Sequence, residues 1–96
     1  MPANRPAAVA TLQVDNERVI ATEWRFAAGA ETGWHRHAYD YIVIPGMDGK
    51  LLLETRGGEQ LAELRAGQSY YRNAGVEHNV VNANAFEFSF VEVELR

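Results

Sequence analysis

Turn signals recur about every eight to twelve residues along this chain, and the segments between them alternate apolar with polar side chains, the pattern of a β-sandwich or barrel. No stretch shows the 3.6-residue spacing of an amphipathic helix. The alternation predicts strands over residues 9–15, 18–26, 51–55, 60–64, 69–72, 77–83 and 86–95. Ile20, Thr22, Trp24 and Phe26 share one face of the second, and 27–33 reads as a loop. Residues 34–45 read as one strand, with His35, His37, Tyr39 and Tyr41 on one face and Trp34, Arg36, Ala38 and Asp40 on the other. Beyond Tyr41 the run Ile42-Val43-Ile44 is apolar on both faces, which suits a central strand. Gly57-Gly58 reads as a two-residue hairpin connection. In the last strand Phe86, Phe88 and Phe90 hold one parity while Val91, Val93 and Leu95 hold the other. That change of frame implies a bulge near Phe90 or a face covered by a second subunit.

Length and composition narrow the remaining choices. Ninety-six residues form one domain, which buries only roughly 60 to 65% of the surface its unfolded chain exposes, and a homodimer would relieve that deficit. The Pro- and Ala-rich residues 1–8 read as a flexible arm ahead of a single domain over 9–96. Nine Lys and Arg against thirteen Asp and Glu leave the chain acidic with scattered cations, so nucleic acid is not an expected partner. No apolar run is long enough for a secretion signal or a membrane span, and the default compartment is the cytoplasm. The absence of cysteine removes disulfides, thiolate metal sites and Cys nucleophiles together, so any metal must be held by nitrogen and oxygen.

The chain holds only three histidines, His35, His37 and His78. Imidazole is the commonest side-chain ligand for a transition metal, and alternation puts His35 and His37 on one strand face with about 6.6 to 7 Å between their backbones. Both can then reach one ion at a metal–nitrogen distance of about 2.0 to 2.1 Å, and a third imidazole from another strand closes the triangle. A His-x-His pair alone is also met as a surface pair or as two core histidines, so the glycine-framed segment Gly75-Val76-Glu77-His78-Asn79 adds weight.

Two tracts carry a family pattern. Gly29, five residues, then His35-Arg36-His37 resembles the first conserved motif of the cupins. Gly67, five residues, Asn73-Ala74-Gly75, two residues, His78, three residues, Asn82 resembles the second. The tracts 23–37 and 74–84 also look like small bacterial cupins labelled as β-alanine degradation proteins. The resemblance implies an antiparallel double-stranded β-helix, or jelly-roll barrel, and a metal site made by His35, His37 and His78. It also implies one divalent ion among iron, nickel, manganese, copper and zinc. The sequence departs from the family where a glutamate ligand often follows the second histidine: here stands Tyr41. A usual proline of the second motif is replaced by Asn73.

Three neutral imidazoles leave the full charge of an ion in the pocket, so a small-molecule anion is attracted and the substrate itself can supply the missing negative charge. Tyr41 shares the parity of both histidines and is the candidate catalytic residue, as weak ligand, hydrogen-bond donor or acid; the plainer alternative is an aromatic wall. Asp40 has the wrong parity to ligate unless a bulge re-aims it. Arg72, with Tyr41 and Phe88, is a candidate substrate contact, its planar fork suited to a carboxylate. Asn82 is a candidate partner orienting an imidazole, and Trp24 and Trp34 are read as packing residues. The expected function is a metal-dependent cupin enzyme acting on a small carboxylate or keto compound, with dioxygenase chemistry ahead of isomerase or lyase chemistry by resemblance. The alternative is a binding or regulatory cupin without turnover, which the lack of an evident general base supports. A third reading, an anion site without metal, requires histidines that gain charge as pH falls through about 6.5.

Overall fold

The computed structural model describes residues 4–96 and, among them, holds nine strands and no helix. In chain order they are β1 (Val9–Asp15), β2 (Val19–Phe26), β3 (His35–Arg36), β4 (Asp40–Pro45), β5 (Gly49–Thr55), β6 (Gly58–Leu64), β7 (Tyr70–Arg72), β8 (Glu77–Asn82) and β9 (Phe88–Leu95). They form two antiparallel sheets, one ordered β1-β2-β9-β4-β7 and the other β3-β8-β5-β6. Face to face, the sheets make a jelly-roll barrel.

Alternation decides which side chains fill it. Tyr41, Val43, Leu51, Leu53, Val80, Phe88 and Phe90 point inward, and Phe26 joins them fully buried. Phe26 and Phe90 lie 5.5 Å apart, ring centre to ring centre, while Trp24 sits 6.5 Å from Phe26 as a half-buried packing residue. Removing an aromatic ring of this kind from water contributes roughly 1.5 to 3 kcal/mol. The β1–β2 link is set by Asn16, whose side-chain oxygen accepts the backbone N–H of Arg18 at 2.8 Å and of Val19 at 3.0 Å.

Several local expectations are corrected. The run 34–45 is two strands in different sheets: β3 pairs with β8, placing His35 opposite His78, whereas β4 pairs with β7 and β9. The chain crosses between sheets at 37–39, and Asp40 fixes the far side of the crossing by accepting the Ala74 N–H at 2.7 Å and the Tyr71 hydroxyl. The hairpin turn is Arg56-Gly57, because Gly58 already pairs with Thr55, and the Thr55 hydroxyl closes the turn by donating to the Gly58 carbonyl at 2.8 Å. The last strand begins at Phe88, leaving Phe86 51% exposed. Its pairing with β2 and β4 runs without interruption, so the bulge expected near Phe90 is absent. The irregularity lies in β1, between Leu12 and Val14. Trp34 is 48% exposed and stacks against the Arg56 guanidinium at 5.7 Å instead of packing inside.

Of the expected N-terminal arm, the first three residues lie outside the described residues. Arg5 to Ala8 are tied down: the Ala8 N–H donates to the Glu31 carbonyl at 2.8 Å, and the Glu31 N–H donates to the Pro6 carbonyl at 2.9 Å. Glu31 in turn bridges to Val81, so this segment covers the outer side of β8 and explains why five consecutive residues of that strand are buried. Among the described residues, no helix is long and apolar enough to cross a membrane.

Candidate metal centre

Backbone pairing brings the three histidines together. β3 sets His35 directly across from His78. His37, one step past the end of β3, is held by two backbone bonds to the turn before β8: its N–H donates to the Val76 carbonyl at 2.9 Å, and the Gly75 N–H donates to its carbonyl at 2.8 Å. Gly75 adopts a φ of 96°, a left-handed backbone that a glycine enters without steric cost, so the second motif's glycine is what closes this turn onto His37.

The ring nitrogens converge. His37 Nε2 lies 3.0 Å from His35 Nε2 and 3.1 Å from His78 Nε2. Two ligands at right angles around an ion with metal–nitrogen bonds of about 2.1 Å are separated by about 3.0 Å, so His37 stands from each of the other two rings at the distance of neighbouring ligands. Donor chemistry agrees. His35 Nδ1 is 2.8 Å from the Gly33 carbonyl, which can only accept, so Nδ1 carries the proton and Nε2 presents its lone pair to the cluster. Thr32 Oγ1 lies 3.3 Å from the same Nδ1. A proton on His37 Nε2 can bridge to only one of its two neighbours, whereas a cation among the three nitrogens satisfies all of them.

Burial keeps the other two rings ready. Loss of solvation, helped by the neighbouring His35 and by Arg72, lowers the His37 pKa to about 4; burial and then the flanking histidines lower His78 to about 3. Both are therefore neutral at physiological pH, as metal ligands must be, and these two rings do not gain the charge near pH 6.5 that the anion-site reading asks of them.

Around the triad lie two spaces. An open cleft of about 450 Å3 is lined by Arg36, His37, Ala38, Ala74 and Gly75. On the inner side a cavity of about 20 Å3, room for one water-sized molecule, is bounded by Tyr41, Tyr70, Arg72, His78, Phe90 and Glu92 among others. Tyr41 stacks on His37 with ring centres 3.8 Å apart and planes 17° from parallel. Its hydroxyl is buried with no hydrogen-bond partner, and burial raises its pKa, so the phenol stays protonated and keeps an unused donor.

A sequence profile described as a cupin domain matches residues 22–94. The chain belongs to the cupin family. Over 92 residues it is 64% identical to the beta-alanine degradation protein BauB of Pseudomonas aeruginosa, covering 96% of this chain and 97% of that protein. The crystal structure of a cupin domain from Bordetella pertussis Tohama I matches with a TM-score of 0.97 at 55% identity, covering 99% of both chains. A protein with a double-stranded β-helix domain from Klebsiella pneumoniae shares the fold alone, with a TM-score of 0.75 at 20% identity over 99% of this chain and 81% of its own.

Within this cupin the other candidate residues divide. Arg72 borders the inner cavity, on the inward face of β7 and directly opposite Tyr41. Phe88 does not: it is fully buried against Gly49, where an added Cβ would stand 2.7 Å from its ring, and Phe90 is the phenylalanine that lines the cavity. Asn82 touches no imidazole. Its amide donates to the carbonyls of Phe26, Ala27 and Phe86 at 3.2, 3.2 and 2.8 Å, and its oxygen accepts the Asn84 N–H, so it clamps loops at the other end of the barrel. The supporting role belongs to Asn79, whose oxygen accepts the Gly33 N–H at 2.9 Å and so fixes the peptide that holds His35. Asp40, occupied by Tyr71 and Ala74, is no ligand.

Sequence reasoning missed Glu92. Its side chain is 12% exposed, and one carboxylate oxygen is 4.0 Å from His37 Nε2. Burial, and then repulsion from Glu94, push its pKa up to about 7, against a hydrogen bond with Trp24 that lowers it. A buried carboxylate at the site removes the lack of a proton acceptor that had favoured a role without turnover. The signal was available in the strand period, since 88, 90, 92 and 94 share the inward face of β9.

Proposed function

We propose that this cupin is a metal-dependent enzyme of the dioxygenase type, acting on a small carboxylate or keto compound. His35, His37 and His78 hold one divalent ion, drawn from iron, nickel, manganese, copper or zinc. The observation that carries the reading is the convergence of three Nε2 atoms at 3.0 and 3.1 Å with neutral rings and a fixed tautomer at His35. When bound, such an ion supplies Lewis acidity and, for every candidate but zinc, the redox couple that dioxygen chemistry needs.

The chain's own residues do the rest. The Arg72 guanidinium offers two parallel N–H groups to a carboxylate at the cavity wall. The unpartnered Tyr41 hydroxyl donates a further hydrogen bond to the same anion, as donor and not as base, because burial holds its proton. Phe90, Val43, Leu51 and Leu53 line the cavity and exclude bulk water, strengthening each of these contacts. The name of the Pseudomonas aeruginosa relative concerns β-alanine degradation, and β-alanine carries a carboxylate of the kind that a guanidinium binds.

The test is elemental analysis of the purified chain, followed by oxygen uptake with each metal restored and a panel of small carboxylic and keto acids. Metal at one equivalent and uptake dependent on both metal and acid are expected. Metal without uptake, and with saturable acid binding, would replace the enzyme by the binding protein.

A further inference from the structure

We propose that Glu92 is the carboxylate ligand of this metal site, delivered from β9 in place of the glutamate that the family pattern puts at position 41. The inference rests on the three-histidine reading above and adds a fourth protein donor to it.

The geometry comes first. Glu92 Oε2 stands 4.0 Å from His37 Nε2. Around one ion with bonds of about 2.1 Å, neighbouring ligands are about 3.0 Å apart and opposite ligands about 4.2 Å, so the separation from His37 lies within one coordination sphere, while Glu92 does not stand within 4.8 Å of all three imidazoles and its side chain must swing inward to join them. Nothing in the backbone has to move to present this residue. β9 pairs in unbroken register with β2 and β4, which places Glu92 between Thr22 and Val43 on the inward face, in the wall that also carries Tyr41 and Arg72.

The charges point the same way. Among the described residues the one ion-pair contact of Glu92 is His37, a ring that burial keeps neutral. A carboxylate taken out of water without a cation is expensive to keep, and Glu94 on the same strand face makes it more so. A dipositive ion among the imidazoles removes that cost at once. Independent of the acid, the Tyr41 hydroxyl is 2% exposed as a residue, lines the same cavity and has no partner. A group bound beside Glu92 is what such a donor lacks. Tyrosine at position 41 also explains why a second carboxylate source is needed: its ring stacks on His37 where the family's glutamate would stand, so the anionic ligand must enter from another strand.

The consequence for substrate is a change in net site charge from two positive to one positive when Glu92 binds. A substrate anion is then drawn to the wall by Arg72 as much as by the ion.

The test uses the full chain stripped of metal and titrated with Co(II), read by visible absorption. Wild type is expected to take one equivalent. Glu92→Gln, which keeps shape and removes charge, is expected to change the position and intensity of the d–d bands and to lower Co(II) affinity roughly 10- to 100-fold, while Glu92→Asp restores part of both. Glu94→Gln is expected to leave the bands in place. Bands for Glu92→Gln that superimpose on wild type would overturn the proposal whatever the affinity, since a residue acting only through a bound water changes affinity without changing the donor set. Bands altered by Glu94→Gln and not by Glu92→Gln would overturn it too. Wild-type chain that binds no Co(II) would overturn the three-histidine reading itself, a failure distinct from the other two.

Discussion

The inward face of β9 divides the barrel into two regions. Phe88 and Phe90 lie in one, against Phe26, while Glu92 and Glu94 lie in the other, beside His37 and Tyr41. The apolar region has its hydrogen-bonding groups satisfied, with Asn82 saturating three carbonyls at its rim. The polar region holds an unpartnered phenol, a buried acidic side chain without a cation and three clustered imidazoles. Side chains two residues apart on one strand thus meet opposite conditions. The difference teaches that stability here is supplied by the packed end and drawn upon by the site end, which holds groups that would not stay together on their own account.

The comparison breaks if the two ends prove inseparable. The largest effect is expected for His35→Ala and His78→Ala, which should each lose nearly all bound metal while circular dichroism keeps the β-sheet signal; a full metal complement in either variant removes the site. Next is Phe88→Ala, which should cost about 3 to 5 kcal/mol in urea unfolding yet leave metal per folded molecule unchanged. Metal lost along with stability would show that the ends act as one. Arg72→Ala should weaken binding of a small carboxylate by roughly 1.5 to 3 kcal/mol by calorimetry, with metal content intact.

Acid sharpens the comparison further. His37 and His78 titrate near 4 and 3 when folded but near 6.5 when unfolded, so between those values the unfolded chain takes up protons that the folded chain refuses. Stability of the metal-free chain should therefore fall as pH drops from about 6.5 toward 4, by at most about 1.4 kcal/mol per histidine per pH unit, and His78→Phe should flatten the slope of Tm against pH. Smallest is Tyr41→Phe. Deleting a hydroxyl that has no partner should change metal-free stability by no more than about 1 kcal/mol, visible chiefly as weaker anion binding.

Local signals carried most of what the sequence disclosed. His35 and His37 are two residues apart, His78 sits in a glycine-framed turn, and turns between alternating runs mark a barrel, so metal triad and fold were both readable. Position 41 kept its inward parity although the strand containing it is broken, because the crossing at 37–39 preserves the alternation. That same preservation hid the break. Glu92 was not legible because its partner His37 is distant in the chain and meets it only through the pairing of β9 with β4. Asn82 shares parity with His78, yet it supports no imidazole. A side chain of the opposite parity proved the support, since it acts on the loop behind the imidazole and not on the ring.

The tether of Arg5 reaches further than its place near the chain's start suggests. Its guanidinium grips Glu31 and Glu54, both carboxylates take a hydrogen bond from the Asn79 amide, Asn79 holds Gly33, and the Gly33 carbonyl orients His35. A leader peptide fused there, or a trim of five residues, would tug on the far end of that rope, and the hand at the other end belongs to the histidine cluster.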